Sequence, residues 1–313
     1  MWYIQNSGGV QTDIPAAIEQ AVKDRFAALA RSPAQEQRFP VGPESAKRLG
    51  YAAHDIDTLP TTATESFADV GNPFSLGELR TGQSVLDLGC GAGMDSRLAA
   101  RQVQPRGTVI GVDIVEEMLA KAQRNAEARG LTDLDFRLGR ADALPVPAAS
   151  VGVMITNGVF NLCLDKPKVV AEIFHVLRPG GRLHMADIFL EEHVTPEQLA
   201  GMGTWSDGVA GAIWERSLHE MLRAAGFVNI GFHGWTGYQT SSCTQGALVS
   251  ACKPAPSPVR GAWGGATSVI RTSGGHHGPS DRVEGSLCCR RRPVEPETAA
   301  WGCRRGGHCA RRQ

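Results

Sequence analysis

Between Val85 and Gly93 the chain reads Val-Leu-Asp-Leu-Gly-Cys-Gly-Ala-Gly, and no other run constrains the fold as much. Four residues of strand character pass directly into a turn with glycine at alternate positions. An apolar helix pattern marked by Met94, Leu98 and Ala99 follows. A glycine turn between a buried strand and a helix lets the backbone come close to a ligand and aims free N–H groups at it. The spacing is an acidic D-x-G-x-G-x-G, distinct from the G-x-G-x-x-G of dinucleotide sites, and no Lys-Ser/Thr pair follows to hold a triphosphate. The pattern points away from NAD and ATP and toward a ligand with a cationic or amino-acid end.

The rest of the core supports a nucleoside-bearing ligand of that kind. The strand pattern Val109–Asp113 ends in an acid 20 residues after Gly93, where a carboxylate at the tip of a second strand takes ribose hydroxyls. A third element, Leu134–Leu138, leads to Asp142, placed to accept from an adenine amino group. A fourth strand, Val151–Thr156, stops at Asn157, and Leu177–Leu183 reads as a helix end, a turn and a fifth strand. Phe227–His233 and Ala247–Lys253 read as a closing, hairpin-like pair. Strands alternating with helices such as Val115–Ala122 and Val169–Leu177 imply a parallel sheet with its crevice at the strands' carboxyl ends. The order and spacing identify a class I methyltransferase domain. The expected architecture is α/β and Rossmann-like: a mostly parallel seven-stranded sheet, helices on both faces, and an antiparallel final strand. The cofactor implied is S-adenosylmethionine.

Three segments are expected: an N-terminal helix and linker over 1–48, the catalytic domain over 49–253, and a Gly/Pro/Arg-rich disordered tail over 254–313. In the first, Ile14, Ile18, Val22, Phe26 and Leu29 recur at helical spacing. Thr195-Pro196-Glu197 has the composition of a helix start. The 313 residues carry no net charge, but the tail holds 10 arginines against 4 acids. The remainder is therefore acidic, which argues against a nucleic-acid backbone as partner of the catalytic domain. No apolar run approaches a membrane span and the N-terminus lacks the pattern of a signal peptide, so a cytoplasmic monomer acting on a small molecule is expected. Cys90, Cys163, Cys243 and Cys252 have no regular spacing, and no metal site is expected. Cys288, Cys289, Cys303, His308 and Cys309 in the tail lack the spacing of a zinc module.

From Leu49 to about Lys253 the chain resembles the arsenite methyltransferase family. The matching strings are VGNPF (70–74), VLDLGCGAGMDSRLAAR (85–101), VIGVDIVEEML (109–119), ITNGVFNLCLDKPKV (155–169), EIFHVLRPGGRL (172–183), ADI (186–188) and VAGAI (209–213). That resemblance implies a substrate site of three cysteine thiolates binding arsenic(III). The corresponding places here hold Val70, Gly158 and Gly208, none of which offers a soft ligand. The expected function is therefore methyl transfer to a small organic acceptor. One alternative is arsenite methylation through Cys163 or Cys243. A non-enzymatic alternative is a cofactor-binding protein whose basic tail holds nucleic acid.

The expected cofactor site comprises Asp87 with backbone groups of Gly89, Cys90, Gly91 and Gly93 at the methionine end, and Asp113 on the ribose. Ile114 and Met118 pack on the adenine, while Asp142 and the Ala143 N–H read its edge. Asn157 is also counted among the cofactor-binding residues, and on the acceptor side Asn157 and Asp187 are the leading catalytic candidates because they sit at strand carboxyl ends. Trp205, Trp214 and Tyr238 are candidate substrate contacts. Asn161 and His184 are weaker candidates, since a histidine inside a strand is more often a core residue.

Overall fold

A computed structural model describes residues 14–128, 133–191, 194 and 203–256. The helix start expected at Thr195 and the tail beyond residue 256, with its cysteines, lie outside the described residues.

Strands β1 (Ser84–Leu88), β2 (Thr108–Asp113), β3 (Leu134–Leu138), β4 (Val151–Asn157), β5 (Leu177–Leu190), β7 (Val228–Trp235) and β8 (Thr244–Cys252) form one sheet in the order β3-β2-β1-β4-β5-β8-β7. The first five pair in parallel, and β8 is antiparallel to both neighbours. The expected seven strands are present, and a two-residue strand, β6 (Ile213–Trp214), adds to the end of β5. The last strand is antiparallel as expected, yet it lies inside the sheet, between β5 and β7, and β7 forms the edge.

Burial on both faces follows from the pleat, since successive side chains on a strand point oppositely. Leu86, Leu88, Met154, Leu183 and Met185 join one core cluster with Val169, Val170 and Ile173 of α7 (Lys166–Val176) and Leu218 and Leu222 of α8 (Glu215–Ala224). Val85, Val109, Val153 and Ile155 face the other way, onto Ala99, Ala100 and Val103 of α5 (Met94–Val103). The strands therefore read as apolar runs rather than alternations, as expected of a sheet covered on both sides.

Ahead of the sheet come α1 (Ile14–Arg31), three short helices, α2 (Pro43–Arg48), α3 (Ala53–Asp57) and α4 (Thr61–Thr64), and two 3-10 turns (Pro33–Gln35 and Pro73–Leu76). Helix α1 is joined to the core it precedes. Its Ala27, Leu29 and Ala30 pack with Ala92, Val115 and Met118, the last on α6 (Glu116–Glu127). Among the described residues no helix is long and apolar enough to cross a membrane.

Candidate functional site

At the carboxyl ends of β1, β2 and β4 lies a cavity of about 1310 Å³, its open mouth included. The glycine turn forms its floor. Gly89, Gly91 and Gly93 have φ of +77°, +51° and +83°, which side chains on an L-residue rarely tolerate. A Cβ on Gly89 would also fall 2.1 Å from Cγ2 of Val159. The turn's N–H groups are not free as expected. Those of Gly89 and Cys90 donate to the Val112 carbonyl (2.7 and 3.1 Å), that of Gly93 to Cys90 (2.8 Å), and that of Gly91 to Oδ2 of Asp113 (2.9 Å). The turn contributes closeness, through absent side chains, rather than donors. Gly93 itself lies outside the cavity lining: it caps α5 in the left-handed conformation, under Phe136 and Ala122.

Three carboxyls that sequence patterns point to do line the cavity, each in a different state. Asp87 on β1 accepts the Ser96 hydroxyl at 2.6 Å, and burial, reinforced by the charge of Asp95, holds its carboxyl well above the ordinary range. Asp113, at the tip of β2, accepts one N–H on each oxygen, from Gly91 and from Val115 at 2.9 Å. Burial raises it and those donors oppose the rise. Both oxygens keep acceptor capacity for a ligand. Asp142 differs: Arg140 at 2.9 Å, and Lys168 more weakly, hold it below the ordinary range. Ile114 and Met118 form an apolar wall, and Cys90 lines the floor with its thiol held protonated by burial.

Four acids of the lining, Glu19, Asp69, Asp95 and Asp165, escaped the sequence patterns. Asp95, in the first turn of α5, is 5% exposed. Its Oδ2 accepts Tyr51 Oη at 2.8 Å and Asn157 Nδ2 at 3.4 Å, while its Oδ1 is buried with no hydrogen-bond partner. Burial raises its carboxyl to about 6 against those donors. Asp69 lines the wall above it and is raised by burial and by Asp95, Asp87 and Asp113. Over these acids Val22 and Phe26 of α1, Ala63 and Phe67 form an apolar roof. Glu19 of α1 is ion-paired with Arg140 across the cavity. Asp95 follows the glycine turn by two residues, a position that could have been read as facing the same ligand; nothing local marks Asp69, Tyr51 or α1.

Several expected site residues lie elsewhere or serve another purpose. Asn157 lines the cavity, but its amide is fully engaged. Oδ1 accepts the N–H groups of Val70 and Gly71 (3.1 and 3.3 Å), and Nδ2 donates to the Gly71 carbonyl (2.8 Å) and Tyr51 Oη (3.1 Å). It positions the 69–71 loop. Asp187 is fully buried within β5, which continues to Leu190, and is not part of the lining. Its carboxylate accepts four N–H groups, from Val159, Phe160, Asn161 and Ile188, at 2.7–3.1 Å. It holds the segment after β4 and has nothing left for a substrate. The Ala143 N–H donates to the Arg140 carbonyl at 3.2 Å, so it does not reach the cavity.

The three aromatic candidates are likewise outside the lining. Trp205 donates its indole N–H to the Leu162 carbonyl at 2.8 Å, with the Lys166 ammonium over its ring. Trp214 lies on β6 against the cluster of Val70, Ile188 and Tyr238, and Tyr238 is 7% exposed within that cluster. His184 is buried in β5 and held neutral, its pKa lowered to about 3 by burial and by Arg182. Asn161 donates to the Gly208 carbonyl at 3.2 Å, a structural bond.

A sequence model described as a methyltransferase domain matches residues 79–226. An arsenite methyltransferase of Halobacterium salinarum is 40% identical over 187 residues, covering 58% of this chain and 46% of that protein. Nocamycin O-methyltransferase of Saccharothrix syringae is 31% identical over 195 residues, covering 54% of this chain and 68% of that protein. The chain belongs to the S-adenosylmethionine-dependent methyltransferase family. It spans about half the length of the arsenite methyltransferases it matches. Phosphoethanolamine N-methyltransferase 2 of Haemonchus contortus, solved with S-adenosyl-L-methionine, has the same fold at a TM-score of 0.50, with 16% identity over 57% of this chain and 50% of that one.

The lining suits this family's donor. It holds seven acids, Glu19, Asp69, Asp87, Asp95, Asp113, Asp142 and Asp165, against one base, Arg140, which is already paired by Glu19 and Asp142. A ligand bearing a sulfonium and an ammonium brings the positive charge this lining lacks, and Oδ1 of Asp95 is a buried acceptor without a donor.

Proposed function

We propose that the protein transfers a methyl group from S-adenosylmethionine to a small organic acceptor, as a monomeric cytoplasmic enzyme. The observation that carries this reading is the excess of buried carboxylate in the cavity, above all the unpartnered Oδ1 of Asp95. Asp87 and Asp95 would hold the cationic amino-acid end, and Asp113 would take the ribose hydroxyls on its remaining lone pairs. Ile114 and Met118 would pack on the adenine, and Asp142, oriented by Arg140, would accept from its amino group. When bound, the donor supplies an electrophilic methyl on a sulfonium. The protein's part is then to hold the acceptor against that methyl and keep water out. The roof of Val22, Phe26, Ala63 and Phe67 excludes water, and the Asn157–Tyr51 pair fixes the acceptor-side loop at Val70–Gly71.

Features in and beside the cavity favour a carbon-based acceptor over arsenite. Val70 lies 3.6 Å from where a Cβ on Gly158 would stand, so two positions that the family resemblance assigns to thiolates meet here without sulfur. Gly208 lies against Asn161 and Ile188. Cys163 lines the cavity, but burial pushes its thiol up to about 12, away from the thiolate that a soft centre needs. Cys243 is buried beside Ser241, outside the lining.

The test is calorimetric titration with S-adenosylmethionine, followed by S-adenosylhomocysteine release across a panel of arsenite, phenols, amines and carboxylates. Donor binding with release on an organic acceptor is expected. Absence of donor binding would sink the reading; turnover confined to arsenite and lost in Cys163→Ser would replace it with arsenite chemistry.

A further inference from the structure

Six of the seven cavity acids have a partner. Glu19 pairs with Lys23 and Arg140, Asp142 with Arg140 and Lys168, and Asp165 caps α7 through the Lys168 N–H. Asp87 takes the Ser96 hydroxyl, Asp95 takes Tyr51 and Asn157, and Asp113 takes two backbone N–H groups. Asp69 has no hydrogen-bond donor or counter-cation among the described residues, and the groups that shift it are burial and three other acids. Its position is nevertheless fixed, because the two following N–H groups, of Val70 and Gly71, are held by Asn157.

That position is the acceptor side. The Asp69 Cα lies 4.0 Å from where a Cβ on Gly158 would stand, and Gly158 is the first residue beyond β4. The cavity that Asp69 lines also presents apolar groups, among them Phe26, Phe67, Val159 and Leu162. A carboxylate among apolar groups, with like charges behind it, repels an anionic acceptor and attracts a cation. Once Asp87 and Asp95 have met the donor's own charge, Asp69 is still in want of one.

We propose that Asp69 is a catalytic base for a small apolar amine, which it binds as an ammonium ion and deprotonates for methylation. The inference rests on the methyltransferase reading above. The ammonium N–H proton passes to the Asp69 carboxylate, and the freed nitrogen lone pair forms the N–C bond to the methyl carbon. The C–S bond breaks with its electron pair left on sulfur, which becomes a neutral thioether. Asp69 then returns its proton to solvent. Burial and the neighbouring acids raise the basicity of Asp69, which favours the proton's acceptance.

The test uses the full chain, with benzylamine, N-methylbenzylamine and phenethylamine as probes and phenol, benzoate and arsenite as controls, read by S-adenosylhomocysteine release. The amines are expected to turn over in preference to the controls. Asp69→Asn, near-isosteric, is expected to lower kcat on the order of 100-fold while donor affinity stays within about threefold. Asp69→Glu is expected to recover part of the rate. Donor binding without turnover of any amine, preference for a control, unchanged kcat in Asp69→Asn, or a loss of donor affinity equal to the loss of rate would each overturn the proposal. If the unaltered protein fails to bind S-adenosylmethionine, the broader reading fails instead.

Discussion

Asp187 and Asp95 are both buried carboxyls raised to about 6, yet they sit in opposite chemical situations. Around Asp187, four N–H groups converge and every lone-pair direction has a purpose within the fold. Around Asp95, one oxygen is served by Tyr51 and Asn157 and the other faces nothing. A shifted carboxyl is therefore not by itself a sign of function. The discriminating property is whether the protein alone satisfies it.

The largest effect that would test this contrast is at Asp187. Asp187→Ala strands four buried N–H groups and is expected to cost at least about 3 kcal/mol of stability, read by urea unfolding. A loss under about 1 kcal/mol would show that water replaces the carboxylate and that the two sites differ less than their contacts suggest. Next comes Asp113→Ala, expected to weaken S-adenosylmethionine on the order of 100-fold by calorimetry, through lost ribose contacts and a loosened Gly91. Unchanged affinity would remove Asp113 from the donor site.

Asp95→Asn is expected to weaken the donor about tenfold while making the ligand-free protein more stable. The sign follows from linkage. Asp95 and Asp187 have folded pKa values near 6 against an ordinary 3.8, so the folded state binds more protons between those values. Their contribution to stability is full below about 3.8 and is lost as pH rises through about 6. Thermal melts of the ligand-free protein should show a smaller decline over that range in Asp95→Asn. A decline as steep as in the unaltered protein would place the titration elsewhere. The smallest effect is expected at the exposed end: Asp142→Ala should weaken the donor only a few-fold and change stability by no more than about 1 kcal/mol, since the Arg140 pair it breaks is partly solvated.

The same contrast separates what could be read in the sequence from what could not. Asp87, Asp113 and Asp142 each sit at a strand end or just beyond one, so the order of elements was enough to bring them to one crevice. Asp95 meets Tyr51 and Asn157 across 44 and 62 residues, and in isolation it is an ordinary first-turn helix acid. The apolar pattern of Met94, Leu98 and Ala99 speaks only for those positions of α5, whereas Met94 to Ala100 are all buried, its polar residues included. Asp187 and Ala143 misled for a related reason. Strand-end position predicts proximity to the crevice, but it does not reveal which backbone groups will take the atoms first. Trp205, Trp214 and Tyr238 looked like pocket walls because aromatic residues serve both pockets and cores, and packing alone decides between them.

The place of β8 has a consequence for how the chain acquires its shape during synthesis. The strand that fills the gap between β5 and β7 is the last of the sheet to leave the ribosome, and its register pairs Cys252 with both Arg182 and Val228. Until it arrives, β7 has no neighbour and the edge of β5 that β8 will cover offers unpaired backbone from Arg182 to Leu190. The cavity-bearing strands β1, β2 and β4 are complete about ninety residues earlier. The half that carries the cavity is thus made first and sealed last, and a ribosome stalled before residue 244 would carry a nascent chain with an open sheet edge ready for the wrong partner.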